Sequence, residues 1–113
     1  MLDTGAGGVF VDLNSPFVKA HGMLEGVAHA AERARPAAIG GSAPFVYGTA
    51  RRIVLGGMVF DSPRIGFSRA TQGSSSRSER DGIVGNLLME RFRVTFDYGR
   101  RTAVFESFAT PRR

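Results

Sequence analysis

The residues best suited to chemistry open the chain: Asp3, preceded by apolar Leu2 and followed by Thr4, Gly5 and Ala6. A carboxylate on a turn that glycine can tighten is a positioned base. Attack of water on a carbonyl needs such a base and, facing it, an acid. Two carboxylates close together supply both, because like charges at that distance cannot both ionise and one keeps its proton. The chain has one such run. Asp61-Ser62-Pro63 is not a second, since proline lacks the amide and the flexibility of glycine. The pair therefore needs a partner: a second copy meeting the first on a two-fold axis with Asp3 facing Asp3, or another lobe of a longer protein. A monomer is expected to be inert.

Other candidate groups lead less far. His21 and His29 stand eight residues apart and read as solvated polar residues, so no metal is expected. Ser74-Ser75-Ser76 lacks the Gly-x-Ser-x-Gly elbow of a serine nucleophile and reads as flexible loop. The net charge of +5 comes from fourteen Arg against the single Lys19. A basic chain can bind nucleic acid through phosphates. Here the arginines are scattered as pairs (Arg51-Arg52, Arg100-Arg101, Arg112-Arg113) without one stripe or interleaved stacking aromatics, which argues against that partner.

The elements that must position Asp3 read as mostly β. At 113 residues there is room for one core, with nine Phe and many Val and Ile broken by glycine and proline. Met1 to Ala6 reads as a strand end running into a turn, and Val9-Phe10-Val11 as a short strand. Ser15-Pro16 reads as a helix N-cap followed by proline, starting a short surface helix that Gly22 stops. Residues 23 to 35 are poorly patterned and Ala-rich and could be helix by propensity, while Ile39-Gly40-Gly41-Ser42 marks a glycine turn. Strands are expected at Phe45-Val46-Tyr47, Arg52 to Leu55, Met58 to Phe60 and Ile65-Gly66-Phe67, with Gly56-Gly57 as a hairpin turn. Thr71 to Arg80 is polar, without core-forming residues, and is expected to be mobile. Ile83-Val84 reads as a buried strand and Leu87 to Phe92 as one or two helical turns. Residues 93 to 98 and 102 to 106 alternate as a hairpin, with Phe92, Val94, Phe96, Val104 and Phe105 read as core or sheet-face packing. No apolar run is long enough to cross a bilayer, and with no Cys the redox compartment cannot be read.

A second segment, Asp81-Gly82-Ile83-Val84-Gly85-Asn86-Leu87-Leu88, follows Asp3 by roughly 80 residues. An apolar-Asp-Thr-Gly-Ala run, followed at this distance by an apolar-apolar-Gly run and a short helix, resembles the retropepsin-like aspartic proteases. The ending Arg-Phe-Arg-Val-Thr-Phe-Asp-Tyr is similar to their bacterial branch. The resemblance covers most of residues 1 to 106, is strongest at both ends, and leaves 107 to 113 as a basic tail. It implies a closed barrel with a flap hairpin and one or two short helices, and would make residues 23 to 35 a strand leading into a hairpin. Asp3 would be the catalytic carboxylate of a homodimeric endopeptidase, with no cofactor and with a peptide or protein as substrate. Thr4 would brace the pair across the dimer and Gly5 would bring its amide to the carboxylates. Ala6 would line the cleft, and Ile39, Gly40, Gly41 and Ser42 would form the flap that closes on substrate. Ile83-Val84-Gly85 would pack behind the Asp3 turn, with Leu87 and Leu88 buried there.

Three departures bear on these expectations. Retroviral members carry two acidic residues where this chain has Gly7-Gly8, and Arg where it has Asn86, so the substrate-backbone and dimer roles of those residues do not carry over. The family also has about two strands upstream of the aspartate, so an N-terminal truncation is expected, with any export signal lying upstream. Two alternatives stay open: the same fold as a catalytically inactive dimerisation or peptide-binding module, and a basic β-domain that binds nucleic acid.

Overall fold

Short apolar runs punctuated by glycine and proline build strands rather than long helices. The computed structural model describes residues 1–26, 31–37 and 41–108, and for 25–26, 31–37 and 41–43 it describes the backbone. The strands are β1 (Val11–Leu13), β2 (Ala31–Ala37), β3 (Gly41–Thr49), β4 (Arg52–Leu55), β5 (Met58–Asp61), β6 (Arg64–Ser68), β7 (Gly82–Val84), β8 (Phe92–Asp97) and β9 (Thr102–Ser107). Two short helices, α1 (Ser15–Ala20) and α2 (Asn86–Met89), and two 3-10 turns (Met23–Gly26, Ser74–Ser76) complete them.

Five strands form one sheet in the order β2-β3-β6-β1-β7, and β4-β5 and β8-β9 are separate two-stranded hairpins. Within the sheet β1 runs parallel to β6 and antiparallel to β7. Leu2 makes a further parallel bridge to Val84 on the other side of β7. The fold is mostly β as expected, but among the described residues it is an open sheet with two hairpins and not a closed barrel. One end of the sheet is β2 and the other is three-residue β7, whose second edge carries a single bridge to Leu2, and among the described residues no strand pairing joins the two ends.

The core lies where the hairpins dock on the sheet. It gathers Phe10, Val11, Val18, Val46, Phe60, Ile65, Phe67, Val84, Leu88 and Met89. An edge-to-face series of rings runs through it: Phe10 to Phe60 at 5.4 Å, Phe60 to Phe92 at 6.1 Å, and Phe92 to Phe105 at 5.6 Å. Each such pair contributes about 0.5–1.5 kcal/mol beyond its buried area. The four phenylalanines thus connect the residue before β1 with β5 and with the β8–β9 hairpin, elements that share no ladder among the described residues.

Local chemistry explains most boundaries. Gly56 and Gly57 both take positive φ (56° and 81°), as the tight β4–β5 turn requires. Helix α1 starts one residue earlier than the sequence reading, with Asn14 rather than Ser15 at the N-cap and Pro16 in the first turn. It is not a purely surface helix, because Ser15 and Val18 are buried. The described parts of residues 23 to 35 are a 3-10 turn at Met23–Gly26 and the first residues of β2, so a strand leading into a hairpin is found at its end. Strand β1 begins two residues later than expected, because the carbonyls of Val9 and Phe10 receive the N–H groups of Leu87 and Gly85 instead of strand partners.

The β8–β9 hairpin pairs in full register from Phe92–Ser107 to Asp97–Thr102. Of the five residues expected to pack in the core or on a sheet face, two are exposed. Val104 lies on the solvent face, and Phe96 sits at the far end of the ladder beyond the core, stacked on exposed Tyr98. The polar segment after Thr71 departs most from expectation. It is pinned by the buried side chain of Asn14, whose Nδ2 donates toward the carbonyls of Ser74, Arg77 and Arg80 at 3.2, 3.1 and 3.3 Å. Ser15 Oγ donates to Ala70 O at the start of that segment. No helix among the described residues is long and apolar enough to cross a membrane.

Candidate active site

The turn that carries Asp3 joins two arms, Leu2 and β1, and β7 lies between those arms. Leu2 runs parallel to β7 and β1 runs antiparallel to it, so the turn must loop over the end of β7. Two hydrogen bonds fix the first arm: Asp3 N–H donates to Val84 O at 2.9 Å, and Val84 N–H donates to Met1 O at 2.8 Å. Where β7 ends, the chain meets the turn from behind. Gly85 N–H donates to Phe10 O (3.0 Å), Asn86 N–H to Ala6 O (3.1 Å) and Leu87 N–H to Val9 O (2.9 Å). The first amides of α2, which have no partner inside the helix, are thereby used to hold the turn.

Gly85 is there because nothing larger fits. A Cβ at that position would lie 2.5 Å from both Val9 Cβ and Val9 O and 2.9 Å from Ala6 O. The Ile83-Val84-Gly85 run thus packs behind the aspartate turn, as the resemblance implied. Of the two leucines expected to bury there, Leu88 is fully buried, whereas Leu87 is exposed. A four-residue helix has one inward face, and Leu88 and Met89 occupy it.

On the turn itself, Gly5 N–H donates to Asp3 Oδ1 at 2.9 Å, so the aspartate side chain closes over the residue two positions on. The turn tightens further through Ala6 N–H to Asp3 O and Gly7 N–H to Gly5 O, each 3.2 Å. Asp3 and Ala6 are half-buried, while Thr4 and Gly5 are exposed. The carboxylate therefore sits at the surface on a braced loop, able to accept a proton or to face another group. The side-chain amide of Asn86 donates to Thr4 O on the same turn.

The four turn residues named from sequence, Asp3, Thr4, Gly5 and Ala6, come together. Of the expected flap, Gly41 and Ser42 open β3, opposite Ala37 and Pro36 of β2, while Ile39 and Gly40 lie outside the described residues. The β2–β3 hairpin is at the end of the sheet away from the Asp3 turn, with β6 and β1 between β3 and β7. His21 caps α1, its Nδ1 lying 2.9 Å from Phe17 O, and its ring stacks on Phe17. His29 lies outside the described residues. Among the described residues no group of three His, Cys, Asp or Glu gathers where a metal ion could sit.

Three structural roles had little signal in sequence. Asn86 and Asn14 act as amide donors to distant carbonyls, which no spacing rule announces. Asp12 is buried at 5 % exposure inside β1. A Cβ on its neighbour Gly66 would lie 2.2 Å from Asp12 Oδ1 and 3.0 Å from the Tyr47 ring, so Gly66 leaves the space the carboxylate fills. A glycine in the middle of an apolar strand run was the available hint. One depression, of about 270 Å³, lies beside α2 and is lined by Phe10, Phe60, Arg64, Leu87, Glu90 and Arg91 among others, with no residue of the Asp3 turn. No family model, curated protein or solved structure matches the chain.

Proposed function

We propose that the chain is an aspartic endopeptidase subunit that becomes active when two Asp3 turns meet. The observation that carries this reading is the way the turn is held. A surface carboxylate, fixed by the Gly5 N–H, is braced from behind by the last residues of β7 and the first amides of α2. A solvated turn aspartate needs no such support. A carboxylate that must keep its place against a like-charged partner does, because catalysis depends on sub-ångström positioning.

In this reading, water lies between two Asp3 carboxylates, one from each copy. The ionised one takes a proton from water as it attacks the scissile carbonyl, and the protonated one donates to the carbonyl oxygen. Exposed Thr4 and Gly5 lie at the two-fold contact. The substrate is an extended peptide whose main chain is held by strand-like hydrogen bonds. The partner is a second copy or another lobe, and no metal or organic cofactor takes part.

The test is cleavage of a peptide library between about pH 3 and 7 by the chain and its Asp3→Asn variant, with the oligomeric state followed by sedimentation. The expected outcome is cleavage by a dimer that the variant loses entirely. Absence of cleavage by a confirmed wild-type dimer would instead make the chain a non-catalytic dimerisation or peptide-binding module.

A further inference from the structure

The Thr4–Gly5 peptide unit is held at both of its ends. Its carbonyl, Thr4 O, accepts from Asn86 Nδ2. Its amide, Gly5 N–H, donates to Asp3 Oδ1 at 2.9 Å. A peptide unit is planar, so a rotation that withdraws the N–H from the carboxylate must also swing the carbonyl off its partner. Turns are where such rotations are easiest, and glycine on the C-terminal side of the bond removes the steric bar to them. Thr4 and Gly5 are both exposed, so side-chain packing does not hold this plane.

We propose that Asn86 is a positioning residue of the Asp3 site, whose side-chain amide locks the Thr4–Gly5 peptide plane and so keeps the Gly5 N–H on the Asp3 carboxylate. Its functional consequence rests on the endopeptidase reading above. Hydrogen bonds in series strengthen one another, since an amide whose carbonyl accepts a bond is the better donor. Asn86 is suited to the task by its place in the chain. Its own N–H is already on Ala6 O, two residues beyond Thr4, so its backbone is anchored to the turn and its short side chain has little freedom to lose. A carboxylate in the same place would set acceptor against acceptor.

The test compares wild type with Asn86→Ala, Asn86→Asp and Asn86→Gln at about pH 6, where an aspartate is ionised and cannot donate. Asn86→Asp keeps the shape and the backbone bond to Ala6, and an acidic residue is well tolerated in the first turn of a helix, so the fold is retained. Expected for Ala and Asp is a fall in kcat on the order of 100-fold with KM little changed, and for Gln a partial recovery. A second readout needs no activity. The Gly5 amide proton, shifted downfield in wild type by its carboxylate partner, moves upfield and exchanges faster with water in the Ala and Asp variants. Amides of the β8–β9 hairpin stay where they are.

An unchanged Gly5 amide in the folded Asn86→Asp protein would overturn the proposal, as would an unchanged kcat in that variant. A wild-type dimer, confirmed by sedimentation, that cleaves nothing would defeat the endopeptidase reading alone. The Gly5 amide then decides by itself whether Asn86 holds the plane.

Discussion

The Asp3 turn and the 71–81 segment are both polar, both poor in residues that could pack, and both gripped by an asparagine amide from elsewhere in the chain. They differ in how much rests on that one side chain. At the Asp3 turn, Asn86 is half-buried and reaches one carbonyl, while the N–H groups of Gly85, Asn86 and Leu87 hold three others. At the 71–81 segment, Asn14 is buried and its two amide hydrogens are shared among three carbonyls. The segment's backbone bonds are mostly local, such as Ser76 N–H to Gly73 O, with Asn14 N–H to Asp81 O at its far end. One loop is ordered by backbone and finely adjusted by a side chain. The other depends on the side chain.

The sharpest way to break the comparison is to separate the Asp3 turn from the backbone behind it. In Gly85→Ala the new methyl would meet Val9 and the Ala6 carbonyl at 2.5–2.9 Å, and two of the three contacts are backbone atoms that cannot step aside. The expected loss is about 3 kcal/mol, because the strain falls where β7, β1 and the turn join. That corresponds to a fall in Tm of roughly 10 °C or more, measured by circular dichroism on heating. A variant that melts with wild type would mean that Gly85 is a turn glycine and the turn is held by something else.

Next in size is Asn14→Ala. It removes the donor from three carbonyls in a partly buried pocket, and a backbone acceptor stripped of its partner loses about 1–3 kcal/mol. We expect a destabilisation of about 2 kcal/mol, with trypsin cutting after Arg77 and Arg80 in protein that is otherwise folded. If the 71–81 segment stays as resistant as in wild type, the local turn around Ser74–Ser76 orders it without Asn14.

That contrast also explains what could be read in advance. Strands with alternating or continuous apolar residues, such as β4, β5, β8 and β9, were legible because burial imposes a period on the residues that undergo it. So was the β4–β5 turn, where positive φ demands glycine. The Asp3 turn was legible as a motif, and the packing of Gly85 behind it followed from the resemblance. The missing pieces are of another kind. Asn14, Asn86 and the Asp12–Gly66 contact act between residues more than 50 apart through single polar atoms, and a single polar atom leaves no periodicity. The closed barrel failed for a related reason. Whether the last strand of a sheet pairs with the first depends on the edges it meets, and three-residue β7 with one bridge on its second edge reads no differently from a strand inside a barrel.

The smallest effect sharpens the comparison most. Asn86→Ala removes the same kind of donor as Asn14→Ala, but beside exposed Thr4, where water can reach the freed carbonyl. A water-mediated replacement recovers most of the enthalpy, so the expected loss of stability is about 0.5 kcal/mol. Chemical denaturation should therefore give nearly the wild-type midpoint for Asn86→Ala and a clearly lower one for Asn14→Ala, with the same slope for all three. Equal losses in the two variants would show that burial is not what distinguishes the two amides. A near-silent denaturation midpoint combined with a large change at the Gly5 amide would separate geometry from stability. Water can satisfy Thr4 O without fixing the direction of the Thr4–Gly5 plane, and that direction, rather than the energy of one more hydrogen bond, is what Asn86 supplies.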